Sequence, residues 1–290
     1  MRWTTGLIAL VVATSIATGS LAQSPPLWAT VPAVPALTRP ERSGFVEHEG
    51  ARLYFAIFNS RGGSPVLLLH GGFASSESWG FEVPRLAANH EVIVMDTRGH
   101  GRSTLGAEHL SYRQFASDAI AVLDAAGVRK ASILGASDGG ITGLLLAIER
   151  PERVDKLFIW GANFNTKAEP ATPPDPAMKD VGALYIAQME AQYRAISPTP
   201  QGFEALRNAL RRLYATEPAL TPKELSSIQA PTVVADGAHE QFIAPDHTAT
   251  LAKLIPDARL VILRDVSHGG PQQDPAGFHA LVAQLLDTVQ

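Results

Sequence analysis

Leu134-Gly135-Ala136-Ser137-Asp138-Gly139-Gly140 joins two apolar runs, Ala131 to Leu134 before it and Ile141 to Ile148 after it. Three glycines crowd one serine at the junction of a strand-like and a helix-like segment. Within it, Gly135-Ala136-Ser137-Asp138-Gly139 reads G-x-S-x-G, the pattern that lifts a serine on a sharp strand-to-helix turn. A strained serine backbone needs small neighbours two residues to either side, and glycine stands at both positions. The bland alternative is a plain turn. The rest of the chain decides between them by offering, or not offering, a base and an acid.

Working outward, strand-like and helix-like segments alternate. Phe45 to His48 and Arg52 to Phe58 flank Glu49-Gly50 and predict an antiparallel hairpin. Pro65 to Leu69 and Glu91 to Met95 are continuous apolar runs, as expected of strands buried on both faces. Ser111 to Ala126 has helical spacing and ends at Gly127, a C-cap signal. Leu157 to Trp160, Pro231 to Ala235 and Arg259 to Leu263 supply further strands, and Asp274 to Leu286 a last amphipathic helix. This order predicts an α/β fold with a mostly parallel, doubly wound sheet. Residues 165–228 break the rhythm with several helical patterns and no clear strand. They predict a helical cap inserted late in the sheet, between core segments 41–164 and 229–290.

At the front, Arg2 precedes an apolar stretch from Leu7 to Ala17, and Ser20-Leu21-Ala22 fits a small-x-small cleavage site. Residues 1–22 are therefore expected to be a signal peptide, with Gln23 first in an exported, periplasmic or secreted, mature chain. Residues 23–40 carry Pro25, Pro26, Pro32, Pro35 and Pro40 and read as an extended linker. The chain has 290 residues, a formal charge of −4 and no cysteine. Nucleic acid is not an expected partner, nor is a membrane after signal cleavage. Disulfides, thiolate nucleophiles and zinc-thiolate sites are excluded.

A serine nucleophile needs a base. Of nine histidines, His268 lies in Asp265-Val266-Ser267-His268-Gly269-Gly270, directly after the last expected strand. There it can reach the turn at the same carboxyl edge of the sheet. The orienting carboxylate is expected in Asp236-Gly237-Ala238-His239-Glu240, after the strand from Pro231, with both Glu240 and Asp236 open. The preceding strand ends in Gly161-Ala162-Asn163-Phe164-Asn165 and offers no acid.

With these residues in place, the chain from about Gly44 onward resembles an α/β-hydrolase of the lidded esterase and lactonase type. His70-Gly71-Gly72-Phe73 and Asp96-Thr97-Arg98-Gly99-His100-Gly101-Arg102-Ser103 carry the resemblance further. It implies that the acid follows a glycine in a G-x-x-D register. Here that register is Gly237-Ala238-His239-Glu240, which favours Glu240 although glutamate departs from the usual aspartate. It implies an oxyanion hole from the Asp138 amide and one amide of the His70 loop, Gly72 or, by preference, Phe73. The Asp138 side chain is expected to be incidental. Asp96 to Ser103 is expected to buttress the turn rather than act in chemistry. Phe73, Trp79 and Phe242 are the expected substrate contacts of an apolar pocket. No metal and no cofactor is implied: His239-Glu240-Gln241-Phe242-Ile243 lacks the second histidine of a zinc-protease helix.

The expected activity is hydrolysis of small carboxylic esters through an acyl-enzyme. Lactone or enol-lactone opening and carbon–carbon hydrolysis are the alternatives on the same scaffold. The Ser76-Glu77-Ser78-Trp79-Gly80-Phe81 loop lacks the asparagine expected after the tryptophan in the carbon–carbon hydrolases. A low-turnover binding protein with a hydrolase shell is the third reading.

Overall fold

Glu49 and Gly50 both take positive φ, 42° and 75°, and so fold the first hairpin back on itself. The hairpin consists of β1 (Arg42–His48) and β2 (Ala51–Phe58), paired antiparallel. The computed structural model describes residues 24–61, 63–106, 109–171, 175–178 and 180–288. The signal segment expected over residues 1–22 lies outside them.

Next come β3 (Pro65–Leu69), α1 (Val83–Leu86), β4 (Glu91–Met95), α2 (Tyr112–Ala126), β5 (Ala131–Ala136), α3 (Asp138–Glu149) and β6 (Val154–Trp160). Then follow α4 (Val181–Ile196), α5 (Phe203–Tyr214) and α6 (Pro222–Leu225), before β7 (Thr232–Gly237), α7 (Pro245–Leu254), β8 (Ala258–Leu263), α8 (Gly270–Gln273) and α9 (Pro275–Leu286). The strands form one eight-stranded sheet in the order β1-β2-β4-β3-β5-β6-β7-β8. Only β1–β2 and β2–β4 run antiparallel; the other pairs are parallel.

Local chemistry sets the helix ends. Ser111 caps α2 by accepting the Gln114 N–H at 3.1 Å, and Gly127 closes it at φ 80°. Asp274 caps α9 through the Gly277 N–H at 2.9 Å. The central strands are apolar on both faces because helices cover both. α2 and α3 pack on one side, with Leu67, Ile133, Leu144 and Leu157 in their layer. α9 packs on the other, with Phe158, Trp160 and Phe278. β6 begins earlier than its apolar run suggests, because Val154 already pairs with Ala131.

Three helices, α4, α5 and α6, lie between β6 and β7. They share a buried cluster with the sheet: Tyr193, Phe203, Leu206, Leu210 and Leu213 belong to the same core as Leu144 and Leu157. The proline-rich stretch does not hang free. Gln273 Nε2 donates to the Trp28 carbonyl at 3.2 Å and the Thr30 carbonyl at 2.9 Å, and the Trp28 ring stacks on His239 at 4.4 Å. Its prolines deny it a strand ladder, so side-chain donors hold it instead. Among the described residues no helix is long and apolar enough to cross a membrane.

The shared core predicts cooperative unfolding. Leu210, wholly buried in α5, contacts that core, so Leu210→Ala is expected to lower global stability by about 2–5 kcal/mol. Urea unfolding followed by fluorescence and circular dichroism should stay a single transition. A separate early loss of the α4–α6 region would contradict one continuous core.

Candidate active site

The turn between β5 and α3 has a steric reason for its glycines. A Cβ on Gly135 would lie 2.3 Å from the Gly139 carbonyl oxygen, and one on Gly139 would lie 2.0 Å from that of Leu69. No larger side chain fits without moving backbone. Between them Ser137 takes φ 53° and ψ −119°, a region costly for any residue with a Cβ. Its N–H is fixed by the Trp160 carbonyl at 2.8 Å. The helix after it starts at Asp138, so the positive end of α3 lies at the serine.

β3 and β5 are neighbours, so the loop leaving β3 passes directly over this turn. A Cβ on Gly71 would stand 3.2 Å from Ser137 Cβ and 3.9 Å from its Oγ. Phe73, the second strained side-chain-bearing residue of the site, has φ 64°. Among the described residues, the N–H groups of Phe73 and Asp138 bond no backbone or side-chain acceptor. Two such N–H groups, on residues that line one cavity with a serine hydroxyl, could serve a developing oxyanion.

The loop is held from below. His70 Nδ1 bonds the Gly71 carbonyl at 2.8 Å, and its Nε2 accepts the Thr97 N–H at 3.0 Å. Both ring nitrogens are thus committed with the proton on Nδ1, and burial pushes the imidazole below its ordinary pKa. His100 is driven to about 3, chiefly by burial and secondarily by His70. Asp96 accepts the Ser76 and Arg102 N–H groups, each at 2.7 Å. The Asp96–Ser103 stretch is structural, as expected, but these bonds brace the 70–79 loop rather than the serine turn.

His268 leaves the far edge of the sheet after β8, and its Nδ1 meets Glu240 Oε2 at 2.7 Å. Glu240 Oε1 also accepts the Phe242 N–H at 2.8 Å. Burial works against the imidazolium, but the Glu240 charge and hydrogen bond, aided by Asp138, outweigh it and hold His268 above its ordinary pKa. Burial likewise pushes the Glu240 carboxyl up, yet the His268 charge and the hydrogen bonds it receives bring it below the usual range.

Asp236 does not reach the histidine. Its oxygens take the Gly237 N–H at 2.9 Å and the Thr248 hydroxyl at 2.8 Å. Burial first, and the neighbouring Glu240 charge second, push it well above the carboxylate range. Beside Glu240, it is the carboxyl of the pair whose protonated form is favoured.

Ser137 and His268 line one cavity of about 580 Å³, a volume usual for small-molecule sites. No hydrogen bond joins them directly among the described residues, a looseness common before substrate closes the contact. Phe73 lines the cavity and packs on Phe203 at 5.9 Å. Phe242 is 53 % exposed and stands edge-on to His268 at 5.0 Å. Trp79 also lines the cavity; it is 2 % exposed, and its ring centroid lies 6.3 Å from that of Phe278. Among the described residues no group of three or more His, Asp or Glu side chains could hold a metal ion.

Several functional positions escaped the sequence pattern. The Asp138 side chain is not incidental: Tyr112 and Tyr214 hydroxyls both donate to it at 2.8 Å. Trp160 fixes the serine N–H with its carbonyl and the His268 carbonyl with its indole N–H at 2.9 Å. Gly161 has φ 56°, and a Cβ there would lie 2.8 Å from His268 Nδ1. Its place at the end of a strand, before an acid-free loop, was the available signal. The tyrosines gave none.

Comparison with known proteins places the fold. Residues 64–205 match the family model described as the alpha/beta hydrolase fold. A carbamate hydrolase candidate, RutD of Azorhizobium caulinodans, is 30% identical over 257 residues, spanning 80% of this chain and 94% of that protein. The chain belongs to the α/β-hydrolase fold family. Rhodomycin D methylesterase DnrP of Streptomyces peucetius is 29% identical over 72% of this chain and 86% of its own. Among solved structures, Est816, titled an N-acyl homoserine lactone degrading enzyme, superposes with a TM-score of 0.71 at 27% identity, over 83% of this chain and 99% of its own.

The Glu240 contact predicts a titration. His268 should protonate above an ordinary imidazole, and Glu240→Gln should drop it below one as burial takes over. Proton NMR of the imidazole measures both. An unchanged His268 pKa in the variant would contradict the ion pair.

Proposed function

We propose that the protein is a serine hydrolase of small, largely apolar carboxylic esters. The observation that carries this reading is the 2.7 Å Glu240–His268 contact, at a cavity that Ser137 also lines from its strained turn.

In this mechanism Ser137 Oγ attacks the ester carbonyl while His268 Nε2 takes its proton. Glu240 keeps the other proton on Nδ1, so that Nε2 is the free base, and steadies the imidazolium that forms. The carbonyl oxygen, now an anion, is met by the Phe73 and Asp138 N–H groups. His268 returns the proton to the leaving alcohol, and the same histidine then activates water to clear the acyl-enzyme. The sign of the pH dependence follows from the charge on His268. Only the neutral imidazole is a base, and its raised pKa makes kcat/KM fall as pH drops through that value.

Lactones are cyclic esters and need no further machinery. The likeness to the lactone-degrading Est816 favours them as a second substrate form. The methylesterase relative favours open esters. What supports turnover over the low-turnover binding reading is the Glu240–His268 contact at a cavity that Ser137 and Phe73 also line.

Ser137→Ala is expected to lower kcat/KM on p-nitrophenyl esters by roughly 10⁴-fold or more, with KM little changed. A fluorophosphonate probe should label wild type and not the variant. Equal rates for both proteins would end the serine mechanism, and an unlabelled but folded wild type would favour the binding reading. Export is part of the same proposal: mature protein recovered from outside the cytoplasm should begin at Gln23, and a chain retaining Met1 there would contradict it.

A further inference from the structure

The carboxylate of Asp138 lies at the serine turn, at the first position of α3. It follows the serine directly, is 8 % exposed, and is pinned between the hydroxyls of Tyr112 and Tyr214. A Cβ on Gly72 would sit 2.8 Å from its Oδ2, so the charge borders the loop that crosses over Ser137. Burial raises its carboxyl above the ordinary carboxylate value, and the two tyrosine hydroxyls, both donors, offset part of that by favouring the ionised form. The N-terminus of α3 also favours a negative charge there.

The surroundings repeat that sign. Glu217 and Glu169 line the same cavity, and Glu217 is fixed by the Tyr112 N–H at 2.9 Å. Among the described residues, no lysine or arginine lines it. A ligand carboxylate inside would meet Asp138 and Glu217 with no lysine or arginine among the described residues to pair with, and His268, which already faces Glu240, must be neutral to act as the base. The oxyanion donors do not help it, because the reacting carbonyl occupies them.

We infer that Asp138, seconded by Glu217, makes this chamber selective by charge. It accepts esters and lactones that are neutral or cationic in both acyl and alcohol parts, and it rejects those bearing a second, free carboxylate. The inference rests on the ester-hydrolase reading and narrows its substrate class. Asp138 thus acts twice: its N–H faces the oxyanion, and its side chain screens what reaches it.

Three p-nitrophenyl esters of equal chain length test this: the hexanoate, the adipate monoester and the 6-aminohexanoate. Wild type should turn over the adipate monoester at least about tenfold less efficiently than the hexanoate, the size expected of one unpaired like charge nearby. The 6-aminohexanoate should match or exceed the hexanoate. Asp138→Asn should close the gap, whereas Tyr214→Phe, which removes one hydroxyl that favours the ionised form but keeps the carboxyl, should narrow it less. If Asp138→Asn does not fold, Glu217→Gln should still narrow it. Equal wild-type efficiency on hexanoate and adipate monoester would overturn the inference, as would a gap closed by Tyr214→Phe and not by Asp138→Asn. Binding of hexanamide and adipamate to Ser137→Ala, measured by calorimetry, makes the same comparison without turnover. If no ester is cleaved yet hexanamide binds at least tenfold tighter, the hydrolase reading fails and the charge selection stands. Equal binding overturns the selection itself.

Discussion

Backbone strain at Ser137 is the constraint from which the site is built. A residue with a Cβ rests at φ 53° only because the surrounding chain leaves it no alternative. Gly135 and Gly139 allow the strand, the turn and the neighbouring β3 carbonyl to close to distances no side chain would tolerate. Trp160 then ties the serine N–H to β6. The hydroxyl is thereby presented at the carboxyl edge of a rigid sheet, and every other functional group arrives at that edge on a loop. The second strained residue, Phe73, stands across the same gap. Strain at both sides of one small volume is the pattern of a preorganised site, where the fold rather than the substrate bears the cost of placing donors.

Electrostatics completes it in layers. Glu240 meets His268, and Asp236, buried beside Glu240, is held well above the carboxylate range. Two carboxyls packed together cannot both ionise easily, which favours the proton on the one that is farther from the imidazole. Asp138 adds a further carboxyl next to the serine, clamped by hydroxyls from α2 and from α5. Because Tyr214 belongs to the helical region between β6 and β7, the same carboxylate joins that region to the serine turn.

The sheet was legible because its strands announce themselves by apolar runs and its helices by caps: Ser111, Gly127 and Asp274 all end helices as their chemistry predicts. Ser137, His268 and Glu240 were legible as a set because each follows a strand, and parallel strands bring their carboxyl ends to one edge. Asp236 and Glu240 could not be separated by residue type alone; what separates them is the direction each side chain takes from β7. The Tyr112 and Tyr214 contacts lie 26 and 76 residues from Asp138 along the chain, and no local pattern records such a meeting. Nor does composition show that a proline-rich segment is fastened by one glutamine.

The central claim is geometric, and a trapped complex measures it directly. A crystal structure of the protein reacted with a small alkyl phosphonate should show phosphorus bonded to Ser137 Oγ. One phosphoryl oxygen should lie within hydrogen-bond reach of the Phe73 and Asp138 N–H groups, and His268 Nε2 should face the serine oxygen while Nδ1 stays on Glu240. Phosphorus on another residue, or a phosphoryl oxygen turned away from both N–H groups with His268 detached from Glu240, would contradict the account.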